Sequence, residues 1–212
     1  MDVIKIEGLE KSLGPFHLGP FDLRIEPGAI VGVIGHKDAG KTTLLRLLWG
    51  FTRPDRGFVE VFGMKPHLAQ MQIRLRAGYV AEHTWYYPEL SIGQFLRFIG
   101  NFYPQWDEER TNALLKPFEL EPYIKVGALS LAGRRKLGLV AALGHRPSLL
   151  ILDQPTAGLD EYMRDHMLSF LRRLSREDKV TIVVSSNISD EFDKFADGVL
   201  TLTHGQVAEC AQ

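Results

Sequence analysis

The feature that most constrains the fold of this chain is a glycine-containing segment at residues 35–42. It reads Gly-His-Lys-Asp-Ala-Gly-Lys-Thr and fits the pattern G-x-x-x-x-G-K-[ST] at every fixed position. An apolar run at residues 29–34 precedes it, as expected of a buried parallel strand, and leucines at helical spacing follow it up to Trp49. A strand, a glycine loop and a helix in this order predict a loop whose backbone N–H groups surround a phosphate chain.

The residue types in this loop match the chemistry of a nucleotide phosphate site with magnesium. Gly40 allows the backbone to approach the ligand closely, Lys41 is expected to meet the β- and γ-phosphates, and the Thr42 hydroxyl is expected to ligate magnesium. The alternative is a chance glycine turn beside a surface lysine, which the flanking strand and helix disfavour. The predicted nucleotide-binding residues of the loop are Gly35, His36, Lys37, Asp38, Ala39, Gly40, Lys41, Thr42 and Thr43.

Composition and charge limit the class of protein. The chain has 212 residues, of which 45% are apolar and 24% charged, close to the average of globular domains that bury a core. The net charge of −1 gives no reason to expect nucleic-acid binding through bulk charge. Apolar runs are strand-sized, short of the roughly 20 residues of a membrane helix, and the charged N-terminus does not resemble a secretory signal. Cys210 is the only cysteine, which excludes an intrachain disulfide.

Apolar periodicity predicts an α/β chain that is interrupted by helices in the middle. Strands are predicted at residues 3–7, 21–25, 29–34, 57–62, 77–81, 149–152, 180–185 and 198–202. Helices are predicted at residues 41–49, 92–102, 108–115, 133–143 and 161–174, with a short one near 190–195. Ser91 and Asp107 are expected to cap the second and third helices, and Gly50 to end the first. No strand is predicted between residues 91 and 145.

A second chemical signal is Asp153, which ends the apolar strand at residues 149–152. Such an aspartate can hold magnesium's water shell from the far side of a phosphate site, although many buried strands end in Asp simply as a turn residue. Asp153 follows Lys41 by more than 100 residues and precedes Gln-Pro-Thr-Ala-Gly-Leu-Asp at residues 154–160. That combination is far more specific than the aspartate alone.

With these motifs the chain resembles the ATP-binding cassette (ABC) family, the ATPase subunits of ABC transporters, over nearly its whole length. Further matching segments are Glu-Pro-Gly at 26–28, Gly-Tyr-Val at 78–80, Leu-Ser at 129–130 before Arg134 and Arg135, and Ser-Ser at 185–186. Residues 93–107 resemble the branch of multidrug, bacitracin or acetoin-linked bacterial exporters. The resemblance implies an α/β P-loop NTPase fold of the ABC ATPase type, with an antiparallel β subdomain and a helical insertion. It implies a single nucleotide-binding domain over residues 1–212: 1–84 and 146–212 form a RecA-like core plus β subdomain, and 85–145 form the helical subdomain.

The resemblance also implies cofactors, partners and a location. ATP and Mg²⁺ are the implied cofactors, and two cassettes meet head to tail as a homodimer or heterodimer with each ATP between them. A separate integral-membrane permease is implied, which places the chain in the cytoplasm at the inner face of the cell membrane, with no nucleic-acid partner. The coupling surface lies around the insertion, which offers Trp85, Tyr86, Tyr87 and Pro88, and core packing is an equal alternative for each.

Several residues depart from the family pattern at positions of chemistry. The usual catalytic glutamate is Gln154 and the usual histidine is Asn187, so the catalytic positions are degenerate. The usual magnesium-ligating glutamine is Glu82, which makes the implied metal ligands Thr42, Glu82 and Asp153. The signature, usually Leu-Ser-Gly-Gly-Gln, continues after Leu129 with Ser130, Leu131, Ala132 and Gly133, and Asp160 is the D-loop position.

Two more departures concern nucleotide contacts. Asp38 replaces a glycine of the phosphate loop, where its charge faces an anionic ligand. Leu13 replaces the aromatic residue that stacks on adenine, and Phe16 or His17 are the candidates to substitute for it.

These departures separate ATP binding from ATP hydrolysis. A neutral amide at position 154 can orient water but cannot take its proton, and loss of a general base is worth on the order of 10²–10⁴ in rate. Amide-oriented water does operate in some GTPases, so slow turnover is not excluded. The leading hypothesis is an ATP-binding subunit of an ABC transporter, in which nucleotide-driven dimerisation is coupled to a permease and hydrolysis is slow. The alternative is a non-catalytic regulatory module, the degenerate half of a heterodimer. A soluble ABC protein of repair or translation fits less well, because those usually carry two cassettes or coiled-coil insertions.

Overall fold

The computed structural model describes residues 2–83, 86–188, 190–192 and 195–211, the last three of them (209–211) by their backbone alone. The strands in this part of the chain are β1 Ile4–Leu13, β2 Phe16–Ile25, β3 Ile30–Ile34, β4 Arg56–Val61, β5 Ala77–Val80, β6 Leu149–Leu152, β7 Thr181–Ser186, β8 Gly198–Thr203 and β9 Gln206–Ala211. The α-helices are α1 Lys41–Leu48, α2 Gln70–Arg74, α3 Ile92–Gly100, α4 Glu108–Leu115, α5 Leu131–Leu143 and α6 Glu161–Glu177.

The larger sheet has six strands in the order β5-β6-β7-β3-β8-β9. The first five are parallel, and β9 closes the edge antiparallel to β8. Because parallel strands end at the same edge, the carboxyl ends of β3, β6 and β7 meet there, and the loops that follow them are neighbours. This arrangement places residue 35, residue 153 and residue 187 near one another.

The smaller sheet is antiparallel, with the order β2-β1-β4. Ile4 pairs with Ile25 on one side and with Val61 on the other. Its apolar face packs over α1 and one face of the larger sheet, as a buried cluster shared by Ile4, Leu44 and Val33 shows. The α/β fold with an antiparallel β part and a helical insertion, expected from the sequence, is confirmed.

Side-chain alternation divides the core between the two faces of the larger sheet. In β6, Leu149 and Ile151 point to the cluster beneath the smaller sheet. Leu150 and Leu152 point to the opposite cluster, which α5 and α6 cover. All four side chains are fully buried. A strand covered on both faces is therefore apolar at every position, which is why the sequence shows a continuous run there instead of alternation.

The helical region follows the caps read from the sequence. Ser91 and Gln94 form a capping box at the start of α3, and Asp107 caps α4 by accepting a hydrogen bond from Arg110 N. Helix α5 begins two residues earlier than predicted, because the Ser130 side chain accepts from Gly133 N at 3.1 Å and caps the helix at that point. Helix α1 ends where expected, since Gly50 adopts a φ of 78° that stops it.

The structure also differs from the sequence-based prediction. Strands β1 and β2 are each 10 residues long, longer than predicted. In β1, Gly8 (φ 55°) lies at a bulge that interrupts the alternation without ending the strand. Helix α2 and strand β9 had no predicted counterpart. The short helix predicted near 190–195 is a turn over 190–192, and the rest of that prediction lies partly outside the described residues, as does Trp85. None of the helices described has both the length and the hydropathy that a bilayer-spanning segment needs.

Candidate nucleotide-binding site

The loop between β3 and α1 has the geometry of an anion-binding loop. Gly40 caps α1 with φ 110° and ψ 0°, a conformation that strains any residue with a Cβ atom. A Cβ atom on Gly40 would also lie 2.9 Å from the Phe16 ring. Asp38 adopts a positive φ of 63°, which Asp tolerates better than most residues. This segment therefore folds into a loop in which the N-terminus of α1 faces the space that an anionic ligand would occupy.

Lys41 is held inside the loop. Its side chain is only 4% exposed, and its Nζ atom donates to Gly35 O at 2.7 Å and His36 O at 2.8 Å. Burial lowers the pKa of Lys41, and the negative charges of Asp153, Glu82 and Asp38 act in the opposite direction. These carboxylates favour the charged ammonium group, and phosphate oxygens bound at the loop would act in the same direction.

Asp153 joins the phosphate loop to the ends of the central strands. Its Oδ2 atom accepts from Thr42 Oγ1 at 2.8 Å, and its Oδ1 atom accepts from Ser185 Oγ at 2.7 Å. The carboxylate is 1% exposed, so both hydrogen bonds compensate its burial. A threonine hydroxyl and a carboxylate that already share a hydrogen bond are the oxygen donors that Mg²⁺ prefers. These residues therefore fit a magnesium ion, with Glu82 as the third implied ligand.

Residues 154 and 187 form an amide pair at the edge of this network. Asn187 Nδ2 donates to Gln154 Oε1 at 2.6 Å, and Gln154 N donates to Ser185 Oγ at 3.0 Å. Gln154 is 8% exposed and adopts a positive φ of 52°. The side-chain oxygen of Gln154 is thus already an acceptor for Asn187. Neither amide can take a proton from water at neutral pH.

Two cavities beside the loop give room for the rest of a nucleotide. The one next to the loop has a volume of about 290 Å³ and includes Phe16 in its lining. The other has a volume of about 370 Å³ and includes Arg46, and the two share Leu13 and Thr43. His17, the other candidate for adenine contact, is engaged with the Ser12 hydroxyl at 3.0 Å. Phe16 is therefore the better placed of the two aromatic candidates.

The signature and D-loop residues occupy the starts of two helices. Ser130 caps α5, Leu131 is 57% exposed, and Ala132 and Gly133 form the first turn. Asp160 caps α6 by accepting from Met163 N at 2.8 Å. Among the residues that the structure describes, the lining of the two cavities beside the phosphate loop includes none of these signature and D-loop positions.

Two residues near the site were not selected from the sequence as functional. Ser185 links Asp153 to Gln154, and its position at the end of β7, beside β6, was the available signal. Arg135 is nine-tenths buried in α5, and a sequence gives no sign that an arginine is buried.

Tyr79, on β5, has its pKa raised to about 12, first by burial and then by the charge of Asp153.

The fold and this site together define a P-loop nucleotide-binding protein: a parallel strand, a phosphate loop, a helix, and an aspartate at the end of a nearby strand of the same sheet. Comparison with known proteins gives the family. The family model described as ABC transporter matches residues 18–157. The chain therefore belongs to the ABC transporter family, and within it the chain is an ATP-binding subunit.

Individual relatives agree with this assignment. The chain is 32% identical over 98% of its length to the bacitracin transport ATP-binding protein BcrA of Bacillus licheniformis, of which it covers 67%. It is 32% identical over 87% of its length to the ABC transporter ATP-binding protein NatA of Bacillus subtilis, of which it covers 77%. The resemblance to bacitracin-type bacterial exporters, expected from the sequence, is confirmed.

A solved structure supports the fold independently. The dimeric ATP-binding cassette MJ0796 bound to ADP and Pi superposes with a TM-score of 0.87, covering 99% of this chain and 98% of that one. The sequence identity is 23%, so this likeness concerns the fold alone.

Proposed function

We propose that this subunit binds ATP at the loop of residues 35–42, closes with a second cassette around the nucleotide, and hydrolyses it slowly. Support for binding comes from Lys41, Thr42 and Asp153, which are buried or joined by hydrogen bonds in the arrangement that the chemistry needs. Support for slow hydrolysis comes from the two positions that depart from the family, Gln154 and Asn187. Binding is then the main conformational signal of this subunit.

The observation that carries the proposal is the hydrogen bond between these two amides. A general base would have to accept a proton from the attacking water, and position 154 offers an amide whose oxygen is already bonded to Asn187. An amide can still hold a water molecule in place, as it does in some GTPases. The pair therefore orients water without activating it. This predicts ATP turnover lower than with a general base at position 154 by a factor on the order of 10²–10⁴.

Magnesium is the cofactor that the donor set fits. Thr42 and Asp153 would hold the ion, with Glu82 as the further oxygen ligand. When bound, the ion neutralises charge on the phosphate oxygens. Lys41 contributes a second positive charge from the loop, and Asp153 keeps the Thr42 hydroxyl oriented through their shared hydrogen bond.

We further propose a location at the inner face of the cell membrane, through binding to an integral-membrane permease. The candidate coupling surface starts at Tyr87, which is 56% exposed and packs edge-on against Phe98 with ring centroids 5.2 Å apart. Phe102, just beyond the end of α3, continues this exposed aromatic row, with its ring centroid 5.4 Å from that of Phe98. The alternative of a purely regulatory module is less favoured, because the relatives that match 98% and 87% of the chain are named as a transport ATP-binding protein and an ABC transporter ATP-binding protein.

A direct test measures binding and hydrolysis separately on the purified chain. Calorimetric titration should show saturable ATP binding in the presence of Mg²⁺, which Lys41→Ala removes. Phosphate release should stay close to the background of the Lys41→Ala variant. Turnover at ordinary transporter rates that depends on Lys41 would overturn the slow-hydrolysis part, whereas absence of ATP binding would overturn the whole proposal.

A further inference from the structure

The second of the two cavities beside the phosphate loop is lined by an arginine whose guanidinium group is available to a ligand. This cavity, of about 370 Å³, is lined by Leu13, Thr43, Arg46, Phe51 and Thr52. Arg46 lies in the last turn of α1 and is exposed. Within the described part of the chain, its guanidinium group makes no hydrogen bond and no ion pair. Its N–H donors can therefore bond to a molecule in the cavity.

The second cavity continues the space above the phosphate loop. Leu13 and Thr43 line it together with the first cavity, whose lining also includes Lys41 and Phe16. Arg46 follows Thr43 by three residues in α1, so it lies on the same face of the helix, about 4.5 Å further along the axis. A nucleotide with its phosphates at Lys41 therefore has room for its base beside Leu13, with one edge of the base facing the second cavity.

The side chains of the second cavity favour a base that presents hydrogen-bond acceptors. Arg46 offers donors alone, and the hydroxyls of Thr43 and Thr52 can donate as well. Leu13 and Phe51 are apolar, with exposed fractions of 48% and 57%. Among the described lining residues, none carries a carboxylate or a side-chain amide. Guanine presents two acceptors on one edge, N7 and O6, whereas adenine presents N7 beside a donor, its N6 amino group. The cavity therefore complements guanine better than adenine.

We propose that the second cavity recognises the edge of the purine base and that Arg46 is a specificity-determining residue, which gives the site a preference for GTP over ATP. The proposal rests on the proposed nucleotide site, because the phosphate loop holds the triphosphate. The guanidinium group of Arg46 donates two parallel hydrogen bonds, to O6 and N7 of guanine. Leu13 provides no aromatic ring for stacking, so the orientation of the base depends on the contacts at its edge.

Titration calorimetry with Mg²⁺ tests this preference with ATP, GTP and inosine triphosphate (ITP), which has the O6 and N7 acceptors of guanine without its 2-amino group. The unchanged chain should bind GTP and ITP with Kd values about five- to tenfold below that for ATP, the lower end of the discrimination that an arginine–guanine pair gives. Arg46→Met removes the donors and should bring the three Kd values within about twofold of one another. Arg46→Gln should reverse the preference towards ATP, because a glutamine amide pairs with N6 and N7 of adenine.

Inorganic triphosphate and a neighbouring arginine serve as controls. Arg46→Met should bind inorganic triphosphate as the unchanged chain does, within about twofold, because this ligand has no base. Arg53→Gln removes an exposed arginine outside the described lining of both cavities and should keep the preference for GTP. Thermal melting reports whether each variant folds. Equally weakened binding of all ligands by Arg46→Met, inorganic triphosphate included, would overturn the proposal, because Arg46 would then be a phosphate contact.

The results for the unchanged chain separate this inference from the proposed function. If the three nucleotides bind with equal Kd values, or ATP binds most tightly, and Lys41→Ala abolishes binding, the nucleotide site stands and the role of Arg46 is wrong. A preference for GTP that ITP does not share would also overturn that role, because the 2-amino group would be the feature recognised. If no nucleotide binds, both the site and the role of Arg46 are wrong.

Discussion

The two sides of the nucleotide site differ in how far they keep the chemistry of their family. The binding side, formed by the phosphate loop and Asp153, carries lysine, threonine and aspartate, with the lysine and aspartate buried and the threonine hydroxyl bonded to Asp153. The hydrolytic side, formed by Gln154 and Asn187, carries two amides that bond to each other. Both sides rest on the ends of neighbouring strands, so the difference lies in side chains and not in the backbone that positions them. The proposed function therefore assigns capture of a nucleotide and its cleavage to separate groups of side chains in one fold.

The largest effect is expected from restoring the hydrolytic side. The double variant Gln154→Glu with Asn187→His should raise ATP turnover by about 10²–10⁴, because a carboxylate at 154 can accept the proton of the attacking water. Phosphate release under saturating Mg-ATP is the measurement. Gln154→Glu alone should gain less, since Asn187 would still occupy an oxygen of the new side chain. If the double variant turns over no faster than the unchanged chain, the signature and loop departures limit hydrolysis instead.

The next effect tests the binding side. Lys41→Ala should weaken ATP binding by at least roughly 100-fold, because charge-assisted hydrogen bonds to phosphate oxygens are lost. Titration calorimetry measures it, with Lys65→Ala as a control at an exposed lysine that lies outside the site. Strong residual ATP binding by Lys41→Ala would contradict the comparison. The phosphate loop would then not be the feature that distinguishes the binding side from the hydrolytic side.

Ser185 joins the two sides, so its removal should affect both moderately. Ser185→Ala takes one hydrogen bond from the Asp153 carboxylate and leaves Gln154 N without its acceptor. The free energy of unfolding should fall by about 1–3 kcal/mol, and the Kd for Mg-ATP should rise several-fold. Chemical denaturation and calorimetry measure the two quantities. Ser186→Ala is the matched control at the neighbouring residue of β7. A change in only one quantity for Ser185→Ala would show that the two sides are less connected than their hydrogen bonds indicate.

The smallest effect concerns the contact with the adenine base of ATP. Leu13 is 48% exposed and lines both cavities beside the loop. Leu13→Tyr should lower the Kd for ATP about threefold to tenfold through stacking, with little change for inorganic triphosphate. Competition between the two ligands in a fluorescence assay would measure it. An equal gain for both ligands would indicate that the tyrosine acts on the loop and not on adenine.

The sequence was sufficient to predict the loop between β3 and α1 and the place of Asp153 at a strand end, because both signals are local. The loop pattern lies between a strand and a helix that periodicity identifies, and Asp153 ends a strand that is apolar at every position. Caps were equally local, as Ser91 and Asp107 show, since each accepts a hydrogen bond from a backbone N–H group three residues away.

Other features depend on contacts that no local pattern contains. The bulge at Gly8 hid half of β1, because it shifts the alternation without ending the strand. Arg135 is buried beside residues distant in the chain, such as Gly158, and the bond between Asn187 and Gln154 spans 33 positions. The sequence could show that positions 154 and 187 are amides, but only the fold shows that one occupies the other's oxygen.

The bond between these amides has a consequence for timing. Under the proposed function, a closed pair of cassettes cannot open by rapid loss of the γ-phosphate, so its lifetime is set by how fast intact ATP dissociates. Such a subunit would respond to the ratio of ATP to ADP around it, as a receptor at binding equilibrium does. It would hydrolyse little ATP while doing so. The contact between Gln154 and Asn187 would then decide whether the subunit works through ATP hydrolysis or through ATP binding that follows the ratio of ATP to ADP.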